Sequence, residues 1–122
     1  MSSKYVNVIV VGGGASGMMA ALTAAEVPGR HIILLERQQR VGRKLLATGN
    51  GRCNLSNRGA VPSAYFGTDA AFAEPALSVF RPVDTQRFFA HLGLLTVTEA
   101  DGRIYPLTDS ANSVLDVLRF AL

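Results

Sequence analysis

The sequence has little cysteine and therefore little capacity for cross-links or metal binding. Its single cysteine, Cys53, cannot form a disulfide within the chain. This excludes a disulfide-stapled secreted fold and favours a reducing, cytoplasmic compartment. Only His31 and His91 could join Cys53 as metal ligands, and no paired Cys/His spacing is present. We therefore expect no metal site.

A long hydrophobic run is also missing. The apolar and small residues between Lys4 and Ala25 are interrupted by Asn7 and by glycines at positions 12, 13, 14 and 17. No stretch approaches the roughly 20 apolar residues that a membrane span needs, and no A-x-A cleavage site follows. We therefore expect neither a secretory signal nor a membrane segment.

The composition is that of a globular domain. Of the 122 residues, 48% are hydrophobic and 17% are charged, far from the composition of disordered chains. A chain of this length forms at most one domain and buries roughly two thirds of its unfolded surface. The function must therefore be sought in the residue pattern.

The most informative pattern is an apolar run that breaks into glycines, Val-Ile-Val-Val-Gly-Gly-Gly-Ala-Ser-Gly at residues 8–17. In a dinucleotide-binding turn, Gly12 would make the tight strand-to-helix turn and Gly14 would let the backbone approach a pyrophosphate. Gly17 would let the helix pack closely on the strand. The anion would lie at the helix N-terminus, which favours negative charge.

The flanking residues complete a βαβ unit. We predict a strand at 5–11 that is buried on both faces, a helix at 15–27 and a second apolar strand at 31–36. Glu36 ends the second strand and follows Gly17 by 19 residues. A carboxylate there can accept hydrogen bonds from both ribose hydroxyls of an adenosine moiety.

A basic segment, residues 37–58, follows this unit. It holds six of the 12 basic residues and no acid. A cofactor diphosphate accounts for this charge, and a solvated loop is the alternative. Nucleic acid is not expected, because the segment has no interleaved aromatic residues and no RNA-binding signature. A P-loop is excluded, since no GxxxxGK[ST] pattern occurs.

Helices and a hairpin are predicted in the remainder. One helix covers 70–80 despite Pro75, and a second begins with Asp84 as its N-cap and stops at Gly93. Its aromatic residues, Phe88 and Phe89, are expected in the core, and His91 in its last turn is expected to be structural. Strands at 94–99 and 103–105 flank an Asp-Gly turn.

A last helix is predicted from about residue 109 or 110, with a marked apolar face. The face consists of Ala111, Val114, Leu115, Leu118 and Leu122. No later segment of the sequence is evident as a partner for this face. We therefore expect it to be exposed and available for association with another polypeptide.

Four segments together resemble the N-terminal part of a known family. They are the glycine motif Val-Val-Gly-Gly-Gly-Ala-Ser-Gly, the acid Glu36, the segment Gly-Arg-Lys-Leu-Leu-Ala-Thr-Gly-Asn-Gly-Arg-Cys-Asn at 42–54, and Gly-Arg-Ile-Tyr-Pro-Leu-Thr-Asp-Ser-Ala at 102–111. The family is that of the BaiN/YhiN-like bacterial flavoproteins, also described as aminoacetone-oxidase-type FAD-binding enzymes. The TGNGRCN sequence is more specific to it than the glycine motif.

The resemblance implies an FAD site, with NAD(P)H as a candidate electron donor in the parent protein. It places the pyrophosphate near Gly12, Gly14, Ala15, Ser16 and Gly17, the adenosine ribose near Glu36 and Arg37, and the flavin side near Arg43, Lys44, Thr48, Gly49 and Asn50. Arg52 could lower the pKa of Cys53. A packing role for this cysteine is favoured, because no CxxC partner exists and the flavin itself carries the redox chemistry.

The resemblance also implies that the domain is incomplete. Family members are several hundred residues long, so we expect residues 1–122 to be the N-terminal segment of an α/β, Rossmann-like FAD-binding domain, without a substrate domain and inactive alone. Two alternatives stay open. One is an NAD(P)-binding dehydrogenase module, which shares the glycine motif. The other is a non-enzymatic remnant that needs a partner chain.

Overall fold

The computed structural model describes residues 7–122, and its first unit is the predicted βαβ arrangement. Strand β1 (Val8–Val11) and strand β2 (Ile32–Leu35) are joined by helix α1 (Ala15–Ala25). The strands are parallel, with Val8 opposite Ile32 and Val11 opposite Leu35. The predicted first strand extended to residues 5 and 6, which lie outside the described residues.

Among residues 7–122, the parallel sheet is covered on one face only. Alternate residues of both strands are half-buried, whereas Ile9 is 59% exposed and Val11 83% exposed. Ile33 and Leu35 are exposed on the neighbouring strand. The prediction of a first strand buried on both faces is therefore wrong for residues 8–11. An apolar run predicts a strand but does not show whether a second layer covers it, and here α1 packs against both strands.

The basic segment forms irregular structure next to this sheet. A 3-10 helix, Leu45–Gly51, is interrupted at Thr48, where the backbone is extended, and at Gly49 and Asn50, which are left-handed. A short strand β3 (Ser56–Asn57) follows. The chain therefore bends sharply here, because consecutive left-handed residues cannot continue a helix. We call residues 45–54 the bent loop.

A second, antiparallel sheet places Arg103–Pro106 between β3 and Thr96–Thr98. Strand β4 (Thr96–Thr98) and strand β5 (Arg103–Pro106) form the predicted hairpin. The turn is closed by Gly102 N donating to Glu99 O at 2.9 Å, and Gly102 adopts a φ of +88°. This left-handed conformation explains the Asp-Gly sequence at the turn.

The predicted helix at 70–80 is divided in two. Ala70–Ala73 is a 3-10 helix and α2 covers Glu74–Val79, with Pro75 in its first turn, where proline is tolerated. A further 3-10 turn occupies Pro62–Ala64.

Helix α3 (Pro82–His91) begins earlier than predicted. Its N-cap is Arg81, and the prediction of Asp84 as N-cap is wrong. Asp84 is instead the third helical residue, and its Oδ2 accepts a hydrogen bond from Arg81 N at 2.9 Å. Pro82, which suits the first helical position, sets the actual start.

Helix α4 (Ala111–Ala121) supplies much of the core. Ser110 caps it, with Oγ accepting a hydrogen bond from Asn112 N at 3.3 Å. Its buried residues share one cluster with Met18 of α1 and Leu45 of the bent loop; they are Ala111, Val114, Leu115 and Leu118.

The prediction of an unpartnered apolar face on this helix is therefore wrong for those four positions. Among the apolar side chains near its end, Phe120 is 84% exposed and Leu122 is 51% exposed. Association through the end of α4 stays a prediction. Within residues 7–122, no helix has the length and apolar character needed to cross a membrane.

Candidate functional site

The glycine turn links β1 to α1 at the carboxyl end of the parallel sheet. Gly12 has a φ of +100°, which favours glycine, and its N donates to Leu35 O of β2 at 2.7 Å. A Cβ added to Gly17 would lie 1.8 Å from Gly12 O. The first turn of α1 is therefore pressed directly against the backbone of the turn.

The N-terminus of α1 is open toward its surroundings. Gly14 is the N-cap residue, no side chain among residues 7–122 caps the helix, and its first turn carries no acid. A Cβ added to Gly14 would meet no atom of the described residues within 4 Å. This position suits an anion, because it combines uncapped N–H groups, the positive end of the helix dipole and free space beside the backbone.

Glu36 follows β2 directly and connects it to the glycine turn through a hydrogen bond. Its Oε2 accepts a hydrogen bond from Gly13 N and its Oε1 accepts one from Gln38 N, both at 2.7 Å. These backbone donors lower the pKa of Glu36 below its ordinary value. A carboxylate offers about four lone-pair sites, so each oxygen keeps capacity for one further donor.

Gly13 is enclosed on its other side by residues that follow Glu36. Its carbonyl accepts a hydrogen bond from Gly42 N at 2.7 Å, and an added Cβ would lie 2.6 Å from Val41 Cγ1. Gly13 was not among the predicted site residues, although the run of three glycines was a signal for it.

The lowered pKa of Glu36 predicts a pH-dependent contribution to stability. A carboxylate whose pKa is lower in the folded state stabilises the fold above its unfolded pKa, and this contribution is lost as the pH falls through the folded value. In Glu36→Gln, we expect the free energy of unfolding to fall less between pH 5 and pH 3 than in the wild type. Urea titrations across this range measure the difference, and parallel curves for the two proteins would contradict it.

Two neighbouring cavities lie beside the glycine turn and the basic segment. One, of about 390 Å³, is lined by Val11, Gly12, Leu35, Glu36 and Arg37. The other, of about 470 Å³, is lined by Arg37, Gln38, Gln39, Arg40, Arg43 and Leu46. Within residues 7–122, no carboxylate lies within 4 Å of the three arginines. Arg43 instead donates from Nη1 to Gln38 Oε1 at 3.0 Å. This region is therefore strongly cationic.

A third cavity, of about 570 Å³, joins the start of α1 to the bent loop. It brings together five predicted site residues, namely Gly14, Ala15, Ser16, Lys44 and Thr48. The other residues that line it are Met19, Leu45, Cys53, Asn54, Leu55, Phe80, Thr85, Phe89, Val114 and Leu118. We call it the large cavity. Its lining is mainly apolar, with polar side chains from Ser16, Lys44, Thr48, Asn54 and Thr85.

Three predicted residues do not line these cavities. Gly17 supports the turn from within the helix, while Gly49 packs so closely that an added Cβ would lie 2.6 Å from Asn54 N. Asn50 is exposed. The walls contributed by α3 and α4 were missed, because residues distant in the sequence meet there only through tertiary packing.

Cys53 is a buried residue in a left-handed conformation, with a φ of +59°. Burial raises the pKa of its thiol, which the Thr48 side chain partly opposes. The expectation that Arg52 lowers this pKa is wrong. The Arg52 guanidinium forms ion pairs with Glu99 and Asp109 instead. A redox role for Cys53 gains no support, since a thiol with a raised pKa is a weak nucleophile.

Comparison with protein families matches residues 6–122 to the HI0933-like protein Rossmann domain. The chain belongs to the HI0933-like family. This confirms the resemblance to the BaiN/YhiN-type FAD-binding flavoproteins and the Rossmann-like α/β fold.

Three curated relatives match most of this chain, but each is much longer than the matched region. A 3-dehydro-bile acid delta(4,6)-reductase of Clostridium scindens is 46% identical over 114 residues, which cover 93% of this chain and 28% of that protein. A ribosomal RNA dihydrouridine synthase of Escherichia coli is 32% identical, over 90% of this chain and 27% of its own. The Haemophilus influenzae protein of the same name is 26% identical, over 96% and 29%. The HI0933-like chain therefore spans less than a third of these curated relatives.

Proposed function

We propose that this HI0933-like domain holds the ADP half of FAD within a flavin-dependent oxidoreductase. The observation that carries the proposal is the glycine turn, where the uncapped N-terminus of α1 lies beside the carboxylate of Glu36. An anion-binding backbone next to a hydrogen-bond acceptor matches a pyrophosphate joined to a ribose.

The pyrophosphate is assigned to the backbone around Gly12, Gly14, Ala15 and Ser16. Free space beside Gly14 supports this assignment, because a phosphate needs to approach the N–H groups directly. Gly17 would act indirectly, since its lack of a side chain allows the first turn of α1 to pack against the backbone of Gly12.

The adenosine side is assigned to the cavities lined by Glu36, Arg37 and Arg43. The remaining acceptor capacity of Glu36 suits ribose hydroxyl donors. The nearby arginines offset the negative charge of the diphosphate. Their lack of carboxylate partners within residues 7–122 supports a role toward an external anion.

The flavin side is assigned to the large cavity. Lys44 and Thr48 supply polar groups to its lining, and its apolar walls suit a fused aromatic ring. Gly49 and Asn50, which the resemblance also places on the flavin side, would shape the loop. Bound flavin would supply the electron-transfer chemistry, while these residues bind and orient it and exclude water.

FAD binding by the purified full-length protein tests the proposal. We expect a flavin absorbance spectrum, or a rise in melting temperature when FAD is added to the apoprotein. A ligand at 100 times its Kd stabilises the native state by about 2.7 kcal/mol. NAD⁺ added in the same assay is the control. Stabilisation by NAD⁺ and not by FAD would favour the dehydrogenase module, and no response to either would contradict cofactor binding.

The activity of the whole protein is a broader proposal. The relatives are named as a reductase and as dihydrouridine synthases, which supports an oxidoreductase. NAD(P)H as its electron donor stays a proposal from the family resemblance. We assign no residue of this segment to the substrate, and we place the substrate domain outside residues 1–122 of the full-length protein. A cytoplasmic location stays a prediction from the single cysteine.

A further inference from the structure

Arg52 joins three parts of the fold through one side chain. Its Nη2 donates to Glu99 Oε1 near the β4–β5 turn, and its Nε donates to Asp109 Oδ1 before α4. The guanidinium carbon lies 3.8 Å from the centre of the Tyr105 ring. The hydrogen-bonded ion pairs with Glu99 and Asp109 raise the pKa of Arg52. Together with the stacking on Tyr105, they hold the guanidinium in a fixed orientation.

The loop that Arg52 anchors is unusually constrained. Asn50 and Cys53, on either side of it, both have left-handed φ values, of +56° and +59°. Asparagine tolerates this conformation, but for cysteine it is unfavourable and persists only when the surroundings hold it. Arg52 N donates to Gly49 O at 3.2 Å, and Cys53 N donates to Thr48 O at 3.0 Å. The side chain of Arg52 thus connects this loop to Glu99 and Asp109, while its backbone N–H forms a hydrogen bond inside the loop.

The same loop forms one wall of the large cavity. Thr48, Cys53 and Asn54 line the cavity, whereas Arg52 does not. The opposite anchor of Arg52, Asp109, lies immediately before α4, whose Val114 and Leu118 also line it. Arg52 therefore connects two walls of the cavity without touching its interior.

We propose that Arg52 is a positioning residue, which sets the shape of the large cavity and thereby the environment of the flavin. The inference rests on the proposed function. Lysine cannot replace the arginine fully, because one ammonium cannot pair with both carboxylates in a planar fork while stacking on Tyr105.

The test compares Arg52→Met and Arg52→Lys with the wild type in the full-length protein. We expect Arg52→Met to weaken FAD binding about tenfold and to shift the visible flavin spectrum, as expected when a supporting side chain misplaces a site. Arg52→Lys should lie between the two. Arg119→Met is the matched control, because Arg119 forms an exposed ion pair with Asp116 on α4. It should leave both readouts unchanged.

A second pair of variants keeps the test decisive if Arg52→Met does not fold. Glu99→Gln and Asp109→Asn each remove one charge, and asparagine tolerates the left-handed conformation of position 109. We expect each to shift the flavin spectrum in the same direction as Arg52→Lys. If the wild type binds FAD and these variants match the control in affinity and spectrum, the positioning role is overturned. If the wild type binds no FAD, the proposed function itself fails.

Discussion

Gly17→Ala is expected to destabilise the protein by about 3 kcal/mol, at the upper end of the usual cost of overpacking. The added Cβ would lie 1.8 Å from Gly12 O, which is a backbone atom and cannot rotate away. Either α1 must move away from the glycine turn or the turn must open. Both movements would also disturb the proposed pyrophosphate site. Urea unfolding of the two proteins measures the change, and a difference below about 1 kcal/mol would show that the turn yields easily.

Gly14→Ala is the matched control, because it adds the same methyl group three residues earlier. In the part of the chain that the structure describes, nothing lies within 4 Å of that methyl group, and the φ of Gly14 is −78°, which alanine adopts readily. We expect a loss of stability of no more than about 1 kcal/mol. FAD binding should nevertheless weaken by about tenfold or more, the equivalent of one charge-assisted hydrogen bond. Comparison of the two variants therefore separates an effect on stability from an effect on FAD binding.

Leu118→Ala is expected to cost about 2–3 kcal/mol of unfolding free energy. Leu118 is 1% exposed and packs in the cluster that joins α4 to α1 and the bent loop. The estimate lies in the lower part of the range for such truncations, because this side chain already borders the large cavity. Thermal or urea unfolding provides the measurement.

Phe120→Ala provides the comparison on the same helix. Phe120 is a larger apolar residue but is 84% exposed, so its removal should change the stability by less than about 0.5 kcal/mol. An equal loss for the two variants would mean that the exposed end of α4 is covered in the protein as it is tested. That result would support association through this end of the helix.

The parts of the fold that could be predicted from the sequence are those with local causes. The glycine turn, the acid after β2 and the Asp-Gly hairpin each depend on a few neighbouring residues whose backbone preferences are strong. The βαβ unit follows from hydrophobic periodicity and from the glycines that divide it.

The remaining features depend on contacts between distant segments. The burial of Val114 and Leu118 needs α1 and the bent loop as partners, which no periodicity within α4 identifies. The open face of β1 is set by which layers cover the sheet. The predicted start of α3 differs from the observed one, because an aspartate such as Asp84 suits both the N-cap and the first turn of a helix. Pro82 was the signal that distinguished the two.

The hydrogen bonds around Gly13 have a consequence for how this region can vary. Gly13 N donates to Glu36 Oε2, Gly13 O accepts from Gly42 N, and a Cβ added at position 13 would displace Val41, whose Cγ1 would lie 2.6 Å away. Three separate stretches of the chain are thus coupled at one residue. We expect positions 13, 36, 41 and 42 to be inherited as a unit, so that a replacement at one of them is tolerated only together with a compensating replacement at another.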